Sequence, residues 1–155
     1  MRIGEGVEWG LHCCLTLAWL DDVPVSTARF AELFGLPRDY LKKRLQALVR
    51  AGILTSTPGP RGGFLLARPP ERITLMDVVA AVEGPDEVFR CTEIRQYGTA
   101  PVPEFARPCG VAAAMRRAEL SWRRELSAQT IADLVATAPE GAADRTRTRL
   151  LGAVS

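Results

Sequence analysis

The sequence predicts a mainly α-helical fold with a small β-hairpin wing: a winged helix-turn-helix domain followed by a long C-terminal helix. Three observations carry this. Between Ser26 and Arg50 two amphipathic segments flank the break at Gly35 and Pro37. Directly after them Gly52–Thr57 alternates, the run Gly59-Pro60-Arg61-Gly62-Gly63 turns, and Phe64–Ala67 returns. Further on, Met115, Ala118, Trp122 and Leu126 follow three-and-four spacing across Gly110 to about Ala128.

Taken in order, residues Gly4 to Leu20 read as the first helix. Val7, Leu11, Leu15 and the pair Cys14/Ala18 recur with helical spacing and would pack under the helix-turn-helix. Glu8 and His12 stand four apart, so both project from one face, with Trp9 beside them. Ser26 can cap the next helix, whose apolar stripe is Phe30, Leu33 and Phe34. Gly35 supplies the break, and Pro37 suits the first turn of a helix, where a missing N–H costs nothing. In that helix Leu41, Leu45, Leu48 and Val49 fall at core-facing positions, leaving Arg38, Lys42, Lys43, Gln46 and Arg50 on other faces.

Pro69-Pro70 ends the hairpin, and Thr74 with Asp77 has the form of a capping box opening a helix that stops at Gly84-Pro85. An irregular stretch follows, carrying Cys91, and Cys109 stands at the threshold of the long helix. Thr130 with Asp133 looks like a second cap, while the tail from Pro139 is small, charged and aperiodic, and is expected to be disordered. The division is therefore 1–84 for the winged domain, 85–109 for the cysteine-bearing loop, 110–137 for the long helix and its successor, and 138–155 for the tail.

Charge is polarised along the chain. From Leu36 to Arg68 there are seven Arg or Lys against one acid, whereas Glu71 to Ala106 holds seven acids and three arginines. A basic patch coinciding with a helix-turn-helix and wing is what a phosphate backbone attracts, so double-stranded DNA is the expected partner. Arg38, Tyr40, Lys42, Lys43 and Gln46 are the candidate contacts on the second helix, with Arg61 at the wing tip, where an arginine suits a narrow minor groove. In a DNA-reading chain the long apolar-striped helix is expected to pair with its copy in a homodimer, since two-fold dimers read two half-sites.

The apolar run Leu11–Leu20 is too short to span a bilayer and is flanked by Glu5, Glu8 and Asp21, which argues against a signal peptide. A cytoplasmic chain with reduced cysteines is expected. No nucleotide loop, zinc-type cysteine spacing or nucleophile with a base is present, so an enzyme is not expected. On residues alone Glu8 and His12 read as a surface contact, and Cys13 and Cys14 as small buried hydrophobes.

Several motifs together resemble the Rrf-two superfamily of bacterial winged-helix regulators: DYLKKRLQALVRAGILTS, the wing PGPRGGFLLARPP, ITLMDVVAAVEGP, and a cysteine-bearing loop leading into a long helix. The resemblance runs from the N-terminus to about Thr137 and implies a dimeric repressor or activator. Many members that bind an iron–sulfur cluster carry three closely spaced cysteines in the loop; here only Cys91 and Cys109 occur, eighteen positions apart. A narrower match, at VEWGLHCC, FRCTEIRQ, PCGVAAAM and TIADLVAT, is similar to the RsrR-type subgroup. That subgroup holds a 2Fe-2S cluster with two cysteines of one subunit and a Glu and His from the first helix of the other. The resemblance thus implies Cys91, Cys109, Glu8 and His12 as cluster ligands, reversing the surface-contact reading of the last two. It also implies control of DNA binding by redox state, with Trp9 as a possible moving side chain or as plain core packing. The alternative is a cluster-free regulator of the same fold using a thiol switch or a small-molecule effector.

Overall fold

A computed structural model describes residues 3–99, 107 and 109–152. Helix α1 (Glu5–Leu20) leads to α2 (Thr27–Phe34) and α3 (Arg38–Arg50), then to the hairpin β1 (Leu54–Thr57) and β2 (Gly63–Leu66). After a 3-10 turn at Pro70–Arg72 come α4 (Leu75–Glu83), a second 3-10 turn at Ile94–Tyr97, α5 (Gly110–Ala128), α6 (Ile131–Thr137) and α7 (Ala142–Leu151). From α1 to α6 the order of helices and hairpin is the one that the apolar spacing and caps imply.

The local signals act as expected. Ser26 Oγ accepts from the Arg29 amide at 3.2 Å, and Gly35 ends α2 in the left-handed region at φ 64°. Thr74 and Asp77 form a reciprocal capping box on α4, as do Thr130 and Asp133 on α6. The two capped starts lie together: the Leu75 amide donates to Gln129 O and the Ile131 amide to Ile73 O, each at 2.9 Å.

Helix α1 is the central strut, packed against α3, α4, α6 and α7. Its buried face is wider than the stripe Val7–Leu11–Leu15 suggests. Cys13, Cys14, Leu17 and Leu20 are buried with Val7, whereas Leu11 and Leu15 are only half-buried. The reason is close approach. A methyl added at Gly10 would stand 3.1 Å from Val78 and 3.6 Å from Leu48, and one at Gly6 would meet Arg44 Nε at 2.6 Å. These two glycines let α3 and α4 settle directly on α1. Phe30, Leu41, Leu45, Leu48, Ile53 and Leu54 complete the core from the helix-turn-helix and wing side.

The hairpin is antiparallel, with Leu54 opposite Leu66 and Thr57 opposite Gly63. Val25 exchanges two backbone hydrogen bonds with Phe64, at 3.1 and 2.8 Å, tying the wing to the entry of α2. Gly63 makes this possible: its φ is 154°, and a methyl there would lie 2.5 Å from the Val25 carbonyl carbon.

The expectation of disorder over 138–155 is corrected at residues 142–151, and 153–155 lie outside the described residues. Residues Ala142–Leu151 form α7, with Leu150 buried. Arg147 donates to the Trp19 carbonyl from Nη2 at 2.6 Å and from Nε at 2.9 Å. That carbonyl belongs to the last turn of α1, which has no basic residue of its own to meet its exposed oxygens. Leu150 and Arg147 tie α7 to distant parts of the chain, and neither makes a pattern that periodicity detects.

A candidate nucleic-acid interface and a cysteine pair

Helix α3 divides cleanly. Leu41, Leu45 and Leu48 are fully buried, and Arg38, Asp39, Tyr40, Lys42, Lys43 and Gln46 are exposed. The Lys43 ammonium lies 5.6 Å from the centroid of the Tyr40 ring, so these two exposed side chains share one surface. Arg61 is exposed in the turn joining β1 to β2. A cleft between the start of α2, the start of α3 and the wing is lined by Ser26, Thr27, Arg38, Lys42, Ser56 and Gly62, among others. Two cations, one acid (Asp39) and small polar groups thus line a concave strip beside the exposed face of α3. Arg44 differs from its neighbours: it is half-buried and lies against Gly6, joining α3 to α1.

The second site is built by α5 and the loop before it. Cys109 is the N-cap of α5. Hydrogen bonds from the Ala112 and Val111 amides, the Arg95 cation and a hydrogen bond with Cys91 hold the Cys109 thiol below the ordinary thiol range, against some desolvation. The Cys91 and Cys109 side chains therefore meet, although eighteen positions separate them; both are free thiols. The start of the loop is fastened to α5. The Val88 amide donates to Glu119 Oε2 at 3.2 Å, and Arg123 bridges Glu119 Oε1 at 2.8 Å to the Asp86 carbonyl at 3.2 Å. Glu119 is the one buried residue of α5.

Glu8 and His12 lie exposed, one turn apart on α1. They edge an apolar groove of about 500 Å3 whose walls include Val7, Leu11, Leu15, Val79, Leu126 and Leu134. The His12 ring is 5.8 Å from that of Phe34 in α2, so α1 touches the helix-turn-helix here too. Trp9 is half-buried against the core. Among the described residues no three His, Cys, Asp or Glu side chains converge as a metal site. Among the described residues the four expected ligands thus stand as two separate pairs, Cys91 with Cys109 and Glu8 with His12. Cys13 and Cys14 offer no substitute: burial pushes the Cys14 thiol up to about 12 and raises that of Cys13 well above its ordinary value.

The donor set suits an iron–sulfur cluster in kind. Soft sulfur donors, one of them favoured as thiolate, stand together, and an accessible imidazole and carboxylate remain available.

Residues 3–137 match the profile of the Rrf2 family, described as "Iron-dependent Transcriptional regulator". The chain belongs to the Rrf2 family. Its members are transcriptional regulators, not enzymes; they bind DNA and act as dimers. Among sequence relatives it is 30% identical over 135 residues to YffB of Lactococcus lactis, named as an HTH-type transcriptional regulator, covering 86% of each chain. Among solved structures it resembles CymR of B. subtilis, the global cysteine regulator, with TM-score 0.66 and 24% identity over 90% of this chain and 99% of that one. It also resembles T. potens IscR, with TM-score 0.68 and 22% identity over 92% and 91% of the two chains. At those identities the structures share the Rrf2 fold with this chain. No helix among the described residues is long and apolar enough to cross a membrane.

Sequence reasoning missed Arg95, Glu93, Glu119 and Arg123, which shape the loop of this Rrf2 chain. Glu119 and Arg123 sit at i and i+4 and were readable as a helix pair, but their reach to Val88 and Asp86 is tertiary.

Proposed function

We propose that this Rrf2 chain is a dimeric regulator whose operator binding is controlled by a 2Fe-2S cluster that senses redox state. Cys91 and Cys109 of one protomer and Glu8 and His12 of the partner subunit are its ligands. One observation carries the reading: the two loop cysteines come together at the N-terminus of α5, while the Glu–His pair is left exposed on the rim of an apolar groove. A second copy is what both pairs require. Helix α5 also leaves Val111 and Met115, one turn apart on one face, exposed to a partner.

When bound, the cluster supplies a one-electron couple, changing the charge beside Cys91 and Cys109 by one unit. This chain's own residues convert that into a change at DNA. Glu8 and His12 sit on α1, and α1 meets α3 at Gly6 with Arg44 and at Gly10 with Leu48. A shift of α1 therefore reaches the reading helix through direct packing. Trp9, adjacent to Glu8 and packed on the core, is the side chain that carries a displacement inward. On α3, Arg38, Tyr40, Lys42, Lys43 and Gln46 face DNA, Arg61 enters from the wing, and two such units read two half-sites about one helical turn apart or a multiple of it.

Anaerobic purification with an absorbance spectrum and an iron count tests this, repeated on His12→Ala and Cys91→Ala. Visible absorption, altered by His12→Ala and lost with Cys91→Ala, is the expected result; colourless protein with no iron overturns it. Operator binding by oxidised and dithionite-reduced protein then tests the switch, and equal affinities would remove redox control. The thiol contact between Cys91 and Cys109 favours a second reading, a cluster-free regulator that closes a disulfide there. In that case oxidant, not iron, changes DNA binding.

A further inference from the structure

Among the described residues no backbone hydrogen bond joins the Cys91 stretch to Cys109. The loop leaves α4 under the Glu119–Arg123 tie and turns at Ile94–Tyr97 before Arg107 and Cys109. The Arg95 side chain joins that turn to Arg107. The Arg95 guanidinium donates through Nε and Nη2 to the two oxygens of Glu93, the Nη2 contact at 2.8 Å, and through Nη2 to the Arg107 carbonyl at 3.3 Å. Glu93 lies at φ 51°, a left-handed backbone rare for a residue with a side chain, and this turn leads directly into the short helix that carries Arg95. Both side chains are about 30% exposed or less.

We propose that Arg95 is a positioning residue for the cysteine pair. Its guanidinium, fixed by Glu93, clasps the two ends of the loop so that Cys91 and Cys109 stay side by side, and it sets a permanent positive charge next to both sulfurs. The electrostatics agree: the Glu93 fork fixes the guanidinium in place, and its charge acts on both Cys109 and Cys91. A cation there favours the more negative state of whatever the sulfurs bind, so it raises the reduction potential of a bound cluster. The inference rests on the proposed function only for that last consequence; the clasp itself also serves a thiol switch.

The test uses the full chain in two arms. In the first, cluster-free protein is treated with dibromobimane, a short reagent that bridges two neighbouring thiols by displacing both bromides, with Cys91→Ser as the blank. The bridged fraction should fall several-fold in Arg95→Ala and Glu93→Gln, and also in Arg95→Lys, which keeps the charge but loses the fork. Unchanged bridging in all three overturns the clasp. Circular dichroism of each variant confirms folding, since Arg95 lies outside the core. In the second arm, the midpoint potential of anaerobically reconstituted protein should drop in Arg95→Ala and stay nearer wild type in Arg95→Lys; equal potentials in all three overturn the charge role. Iron-free wild type with a working clasp would sink the cluster reading alone, whereas normal iron uptake with unaltered bridging would sink the clasp alone.

Discussion

The wing is a tight hairpin and the cysteine loop a long connection between α4 and α5, and the two are held by opposite means. The wing is held by backbone: Val25 pairs with Phe64, Gly63 admits the contact, and Leu54 is buried beneath. The loop is held by charged side chains: Glu119 and Arg123 at its start, Glu93 and Arg95 near its cysteines. Backbone ties with an apolar floor give one arrangement and resist chemistry. Polar ties at a partly exposed site respond to a change of local charge, because each is an electrostatic contact that a nearby charge can weaken or strengthen. The contrast predicts a fixed reading head and an adjustable loop.

That contrast can be broken by swapping the damage. Gly63→Ala should have the largest effect, since its methyl would press on the Val25 backbone; a loss of roughly 2–4 kcal/mol is expected in urea unfolding, with weakened DNA binding. If the two regions are independent, the thiol pair of the folded fraction should bridge as in wild type. Glu119→Ala comes next. Losing the acceptor for Val88 and Arg123 should cost about 1–2 kcal/mol and lower the bridging of Cys91 to Cys109, while non-specific DNA affinity stays unchanged. A fall in that affinity would show that loop and reading head are one mechanical unit.

A smaller effect sharpens the reading head itself. Lys43→Ala should weaken binding to all DNA sequences alike and flatten the salt dependence by about one unit of slope, measured by titration over a range of salt. A loss confined to one base position would instead make Lys43 a base reader. The smallest effect concerns the α6 cap. Hydrogen bonds from the Thr130 amide and hydroxyl lower the Asp133 pKa. A carboxylate with a depressed folded pKa contributes stability above its unfolded value, and that contribution disappears as pH falls through the folded one. Asp133→Asn should therefore narrow the difference in melting temperature between neutral and acidic pH, leaving the thiol pair untouched.

The sequence by itself determined the reading head. Ser26, Gly35 and the Leu41–Leu45–Leu48 spacing act within one or two turns, and the paired glycines of the wing act within one hairpin, so local chemistry suffices. The capping boxes at Thr74 and Thr130 were legible for the same reason. Tertiary structure alone decided that Cys91 and Cys109 meet, that Leu11 and Leu15 line a groove beside Glu8 and His12, and that the tail folds as α7 on the end of α1. Each of these depends on contacts between residues far apart in the chain, made by single side chains such as Arg95 and Arg147. A lone arginine has no period, and what it reaches is set by the folded backbone around it.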